Sequence, residues 1–350
     1  MEDRLRHLGK QIRQREEMAS SMALARTRQK RMLPDEPKVA GYEFAQKYEP
    51  ATDVSGDFYD FIQVSDNQWG IVIGDVAGHG VEAGIIMGMA KQTVSIYGRQ
   101  FVSPTEVLDR SNRELYRWLD GKMFVSLSYA VLDVDTSILH FARAGHNKPL
   151  RFNSNWRIPR PQVVECSGMA LGVDAGPRFA KLAEEVEIHL EPGDVFFQYT
   201  DGLVEAANKD KEQFGEENLM LLLQRYARAP VQELVDIVIE ALRDHAMGAP
   251  QEDDITMVAL KVKDRKVASR TARTQAFPLP QVSPAPGPPA PAGGPPAGGR
   301  TAAPQALARP GWPPPPTPVA PAQVRPPNGP IPQPPKDAPG EGADHSGRGQ

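Results

Sequence analysis

The pattern of this 350-residue chain predicts an antiparallel α+β domain. Three observations carry that reading. Short runs of aromatic and β-branched residues recur between tight turns. Helix-like stretches come in adjacent pairs. The strict strand–helix–strand alternation of a parallel sheet is absent, and no internal repeat is visible.

Taken in order, residues 1–32 are helix formers, rich in Arg, Gln, Glu, Met and Ala, with Gly9 as the lone glycine and no proline. Leu5, Leu8, Ile12, Ala19 and Met22 fall near heptad spacing, but Arg15 and Arg26 interrupt the seam. Two readings stay open: a solvated lead-in helix, or a short helix that pairs two copies or carries a signal. Pro34 and Pro37 end it. From Gly41 to Asp75 the pattern turns β-like: Tyr42 to Ala45 alternates, Phe58 to Ile62 is aromatic, and Trp69 to Asp75 is a buried-type strand ending in an acid. Gly78-His79-Gly80 makes a turn into a helix from Val81 to about Tyr97. The next helix has an explicit start: Ser103 as cap, Pro104 in the first turn and Glu106 completing a capping box; it is expected to reach about Leu119. Strands follow at 124–134, 138–144, 186–190 and 195–200, then two helices at 216–228 and 231–245, and a last strand at 254–262.

Composition divides the chain into three parts: a helical linker over 1–33, a folded domain over 34–264 and a Pro/Ala/Gly-rich tail over 265–350. Most of the 35 prolines lie in the tail, which has too little apolar surface to offset its ordering entropy and is expected to be disordered. Its Trp312-Pro313-Pro314-Pro315-Pro316-Thr317-Pro318 run reads as spacer, with a polyproline II ligand as the alternative. Arg and Lys exceed Asp and Glu in the tail, so with a formal net charge of −4 overall the folded part is acidic. That argues against nucleic acid as the main partner. A single cysteine, Cys166, excludes an intramolecular disulfide and fits a reducing compartment. The charged start lacks an apolar signal region, and no run approaches the roughly 20 apolar residues of a membrane span. The expectation is a soluble cytoplasmic protein.

The informative feature is where the aspartates fall. Asp57 precedes the aromatic strand, Asp75 closes the strand before it reaches the glycine turn, Asp201 closes Val195 to Thr200, and Asp253 and Asp254 open the last strand. Any one Asp-Gly after a strand is an ordinary turn. Acids at the ends of four apolar strands are costly unless something positive compensates them, and no matching set of Arg or Lys stands in these segments. Hard divalent cations suit such donors. The 7 scattered histidines and one cysteine do not make a zinc cage. A pair of hard cations among carboxylates implies water-driven phosphoryl hydrolysis.

Five motifs occur in order: Asp53-Val54-Ser55-Gly56-Asp57-Phe58-Tyr59-Asp60, Gly74-Asp75-Val76-Ala77-Gly78-His79-Gly80, Ala144-Gly145-His146-Asn147, Tyr199-Thr200-Asp201-Gly202-Leu203-Val204-Glu205-Ala206 and Asp253-Asp254-Ile255-Thr256. Together they resemble the SpoIIE/RsbU-type branch of the metal-dependent PPM protein phosphatases, over about residues 33 to 263. The resemblance implies a four-layer β-sandwich of two antiparallel sheets flanked by helix pairs, with two manganese or magnesium ions at one end. It implies Asp75 bridging both ions, the Val76 carbonyl binding one, Asp201 and Asp253 as direct ligands, and Asp57 acting directly or through water. Asp254, Gly202 and His79 form a second tier. It further implies phosphoserine or phosphothreonine substrates on small STAS-type regulators in partner-switching circuits. Ser55 stands where the family more often has Gly, and His79 where it often has Lys. His79 reads either as a turn residue or as a proton donor to the leaving group. His146 reads as structural.

Two rival readings carry less. Gly78-His79-Gly80-Val81-Glu82-Ala83 matches a dinucleotide-binding turn, but Asp75 would set negative charge beside the pyrophosphate, and the region some 20 residues on starts a helix instead of ending a strand in an acid. A catalytically silent, phosphatase-like scaffold that binds regulatory partners is the alternative from another class; such relatives usually lose a ligand, and here every expected Asp is present.

Overall fold

A computed structural model describes residues 2–119 and 121–263. The elements run α1 (Glu2–Lys30), β1 (Tyr42–Glu49), β2 (Phe58–Ser65), β3 (Gln68–Val76), α2 (Val81–Gly98), α3 (Pro104–Leu115), β4 (Val125–Asp133), β5 (Ile138–Ala144), β6 (Leu150–Asn153) and β7 (Gln162–Val163). They continue with α4 (Pro177–Leu182), β8 (Glu185–His189), β9 (Asp194–Tyr199), α5 (Asp201–Glu205), α6 (Gly215–Arg225), α7 (Val231–Ala246) and β10 (Ile255–Val262).

Two five-stranded antiparallel sheets form, one ordered β1-β10-β9-β6-β7 and the other β2-β3-β4-β5-β8. Three apolar clusters define the layers. Phe44, Phe61, Ile71, Phe141, Phe196 and Leu260 fill the space between the sheets. Phe197, Tyr199 and Met257 pack with Leu219 and Leu223 of α6 and Leu234 and Val238 of α7. Phe58, Val72 and Tyr129 pack with Met87 and Val94 of α2 and Val107 and Leu108 of α3. The alternation of strand side chains explains this: Phe196 and Phe197 are neighbours in sequence and serve opposite faces. The result is the expected α+β four-layer sandwich with a helix pair outside each sheet.

Differences from the sequence reading are local. The first helix ends at Lys30, and α3 stops at Leu115 before a turn that holds the chain to Leu119. The capping box at Ser103 is only half made. Ser103 accepts from the Glu106 N–H at 3.4 Å, but the Glu106 carboxylate turns to Arg110 at 2.8 Å. Glu185 of β8 takes over the helix start, accepting from the Ser103 hydroxyl at 2.7 Å and the Thr105 N–H at 3.2 Å. Four short elements had no reading from sequence. β6 and β7 are held by pairing with β9 and each other, and α4 and α5 span 6 and 5 residues, too short for any periodicity. The disordered tail expected over 265–350 lies outside the described residues.

Candidate metal centre

Strand register brings the acids to one end of the sandwich. β2 and β3 pair with Phe58 opposite Gly74, and continuing that register sets Asp57 against Asp75. In the other sheet β10 and β9 pair with Met257 opposite Tyr199, and the Thr200 N–H donates to the Thr256 carbonyl at 3.0 Å. The same register leaves Asp201, as the first residue of α5, beside Asp253 and Asp254 where β10 begins. Thr200, at the end of β9, reaches across to the other half: its hydroxyl donates to Asp57 Oδ2 at 2.9 Å.

Glycines let these segments approach. A Cβ on Gly202 would stand 2.1 Å from the Asp254 carbonyl oxygen, and one on Gly56 would stand 2.9 Å from the Val76 carbonyl oxygen and 3.4 Å from Asp75 Oδ1. The Val76 carbonyl and the Asp75 carboxylate therefore lie against the Asp57 loop. The turn after β3 takes positive φ at Gly78 and Gly80, 98° and 82°.

The carboxylates are not equivalent. Asp57 is 1% exposed; burial first, and then Asp75, push it well above the usual carboxylate range. Asp75 is pushed up to about 7 by burial and then by Asp201 and Asp253. Asp253 is raised by burial and by Asp201 and Asp254, and His79 acts in the opposite direction. Asp254 is occupied otherwise: its two oxygens accept from the Ala51 N–H at 2.7 Å and the Gly56 N–H at 3.1 Å. It organises the loop that carries Asp57. Asp201 Oδ1 accepts from the Gly202 N–H at 3.0 Å, and Asp253 Oδ1 from the Asp254 N–H at 2.8 Å.

Among the described residues no three His, Cys, Asp or Glu side chains are closed around a point where an ion would sit. The arrangement is an open set of hard oxygen donors whose like charges raise one another's pKa. Cations are what such a set accommodates, and oxygen donors with a backbone carbonyl beside them match magnesium or manganese. The residues thus fit the metals expected of them.

The structure gathers Asp57, Asp75, Val76, Asp201, Gly202, Asp253 and Asp254 at one end, with His79 on the exposed turn nearby. His146 is buried, with Nδ1 at 2.7 Å from the hydroxyl of Ser126, the residue of β4 that pairs with Asp75, and its carbonyl bound by Arg143. Burial, with Arg143, lowers its pKa to about 3, so it is neutral at neutral pH. Sequence reasoning passed over Thr200 and Ser55, whose hydroxyl accepts from the Asp57 N–H at 3.0 Å. Both sit inside quoted motifs, but nothing local marks a hydroxyl that serves a carboxylate. A cleft of about 570 Å³ opens beside Gly202 and Asp253, walled by Glu205, Lys211, Arg243 and Glu252.

A two-sheet sandwich with paired helices outside and acids gathered at one end is the architecture of the PP2C-type, or PPM, phosphatases. The chain superposes on the SiaA-PP2C domain of Pseudomonas aeruginosa with a TM-score of 0.61 at 22% identity, covering 71% of this chain and 98% of that one. It superposes on the RsbU and RsbW domains of Rv1364c from Mycobacterium tuberculosis with a TM-score of 0.56 at 24% identity, covering 65% and 61%. The sequence model of stage II sporulation protein E matches residues 65–263, and the chain belongs to the SpoIIE family. It is 29% identical over 251 residues to protein IcfG of Synechocystis, across 64% of this chain and 38% of that protein. It is 26% identical over 215 residues to the phosphoserine phosphatase RsbU of Bacillus subtilis, across 61% of each. The chain thus spans less than two-thirds of the length of either relative.

Proposed function

We propose that the chain is a metal-dependent protein serine/threonine phosphatase whose catalytic domain covers 34–264. The observation that carries this reading is the gathering of Asp57, Asp75, Asp201 and Asp253 at one end of the sandwich by the register of four strands. Asp75, Asp201 and Asp253, with the Val76 carbonyl, would hold two manganese or magnesium ions, and Asp57 would act on them directly or through water. When bound, the ions supply an acidified water and neutralise the phosphoryl oxygens. The chain's own part is placement. Thr200 holds one oxygen of Asp57, and Asp254 holds the loop beneath it, so Asp57 meets the centre in one orientation. Water would add to phosphorus as the bond to the serine or threonine oxygen breaks, and one proton of that water would end on the leaving oxygen, so that phosphate and a free hydroxyl are released. Gly202 and Asp253 line the neighbouring cleft, where the phosphorylated segment would enter.

We further propose that the substrate is a phosphorylated STAS-type regulator in a partner-switching circuit, in the cytoplasm, without nucleic acid. Membership of the SpoIIE family and similarity to a phosphoserine phosphatase support this. Among the described residues no helix is long and apolar enough to cross a membrane. Leu8, Ile12, Met18 and Leu24 are exposed along α1, which supports a homodimer formed through that helix. Light scattering tests it: a monomer at working concentration sinks the dimer. The catalytic reading is tested by manganese-dependent release of phosphate from p-nitrophenyl phosphate and from phosphorylated STAS proteins of the same cell. Loss in Asp75→Asn supports it. Manganese binding without turnover of any phosphate ester would leave the silent scaffold instead.

A further inference from the structure

The helix α1 stands largely in solvent, and among the described residues the three apolar clusters of the domain take none from it. Yet Gln29, in its last turn, is only 7% exposed. Its side-chain amide reads both polar groups of one residue of the Asp57 loop. Nε2 donates to the Ser55 carbonyl at 2.7 Å, and Oε1 accepts from the Ser55 N–H at 3.0 Å. Tyr48 adds its hydroxyl to the same Oε1 at 3.4 Å.

This contact completes a chain of anchors. Ser55 N–H goes to Gln29, Gly56 N–H to Asp254, and Asp57 N–H to the Ser55 hydroxyl, while the Asp57 carboxylate takes Thr200. Three consecutive backbone donors are tied down, and the first is tied from outside the sandwich. The loop is also wedged: a Cβ on Gly84 of α2 would meet Val54 Cγ1 at 2.1 Å and Gln29 Nε2 at 3.3 Å. Only a planar amide offers one donor and one acceptor at this spacing. A carboxylate would set an acceptor against the Ser55 carbonyl, and an apolar side chain would leave two buried backbone groups unpaired.

We infer that Gln29 is a positioning residue for the metal centre: its amide holds the Ser55 peptide so that Asp57 presents its carboxyl to the ions. This rests on the metal-dependent reading above. The placement of Asp57 is thereby made conditional on the last turn of α1 being seated against the domain. Because the apolar clusters take no described residue of α1, the main effect of losing the amide falls on the loop.

The test compares Gln29→Leu and Gln29→Glu with wild type and with Thr27→Ala. Thr27 is exposed on the same turn and bonds only within its own helix. Manganese affinity is measured by titration followed by electron paramagnetic resonance without substrate, and amide exchange at residues 54–57 is followed in metal-free protein. Gln29→Leu is expected to weaken manganese binding by about 10-fold to 100-fold, the usual cost of losing an outer-shell partner. Amides at 54–57 should exchange faster than any fall in overall stability accounts for, with the rest of the domain's exchange as the reference. Gln29→Glu, which keeps the acceptor for the Ser55 N–H, should fall between, and Thr27→Ala should match wild type. Wild-type manganese affinity together with unchanged exchange in Gln29→Leu overturns the inference. A wild-type protein that binds no manganese removes the metal reading itself, and this inference with it; the wild-type titration tells the two failures apart.

Discussion

Asp57 receives a hydroxyl from Thr200, a loop ordered by Asp254 and a backbone anchor from Ser55, so single substitutions around it have separable effects. Asp75→Asn keeps shape and removes charge where four carboxylates face one another. Manganese affinity and hydrolysis should both fall by at least about 100-fold, the upper end of what outer-shell partners alone cost. Thr200→Val keeps volume but leaves the Thr256 N–H, which donates to that hydroxyl at 2.9 Å, unpaired in a buried site. It should cost about 1–3 kcal/mol of stability in urea melts, and activity beyond what that loss explains. His79 is exposed, and its place on the turn does not by itself make it an acid. His79→Ala should leave the pH–rate profile unchanged; loss of the alkaline limb would make it the proton donor. These residues also show what could be read early. Asp75 announces itself as an acid closing an apolar strand beside glycines. Gln29 has no local mark, because its partner lies 26 residues away.

Elements bring their own consequences. The start of α3 depends on Glu185, which arrives from β8 and binds Ser103 and Thr105. Glu185→Ala should lower stability by about 0.5–2 kcal/mol, the range for a lost helix cap, whereas Glu106→Ala should do much less. Sequence alone pointed to Glu106, since the capping box is a local pattern and a cap supplied from 82 residues away is not. The join of β5 to β6 carries buried His146 against Ser126 of β4. Its folded pKa of about 3 lies below its ordinary 6.5, so the unfolded chain binds the extra proton between those values. Stability is therefore retained above 6.5 and lost as pH falls toward 3, by up to about 1.4 kcal/mol per pH unit from this group. In His146→Asn the urea midpoint should depend less steeply on pH between 6 and 4 than in wild type. An equal slope would assign the acid sensitivity elsewhere.

At the scale of the whole molecule, metal and fold are linked. Ions that bind only the native carboxylate cluster should raise the unfolding midpoint with manganese concentration, by about 2.7 kcal/mol at one hundred times the dissociation constant. Asp75→Asn should abolish that rise. Removal of the residues after Arg265 should leave hydrolysis unchanged, since the two sheets and both helix pairs close before it; a large loss would make the tail part of the enzyme.

The sequence by itself determined both helix pairs and all strands but β6 and β7, because each rests on local periodicity and turn residues that neighbours in the chain decide; β6 and β7 exist only through their pairing. It also determined which acids stand at strand ends, since an acid beside an apolar run is visible without knowing the fold. Only the tertiary structure decided which of those acids meet and what each does there. Register set Asp57 against Asp75, the crossing of the sheets gave Thr200 to Asp57, and two backbone donors from residues 51 and 56 claimed Asp254. These contacts join residues up to 203 positions apart, and no local preference encodes a partner at that distance.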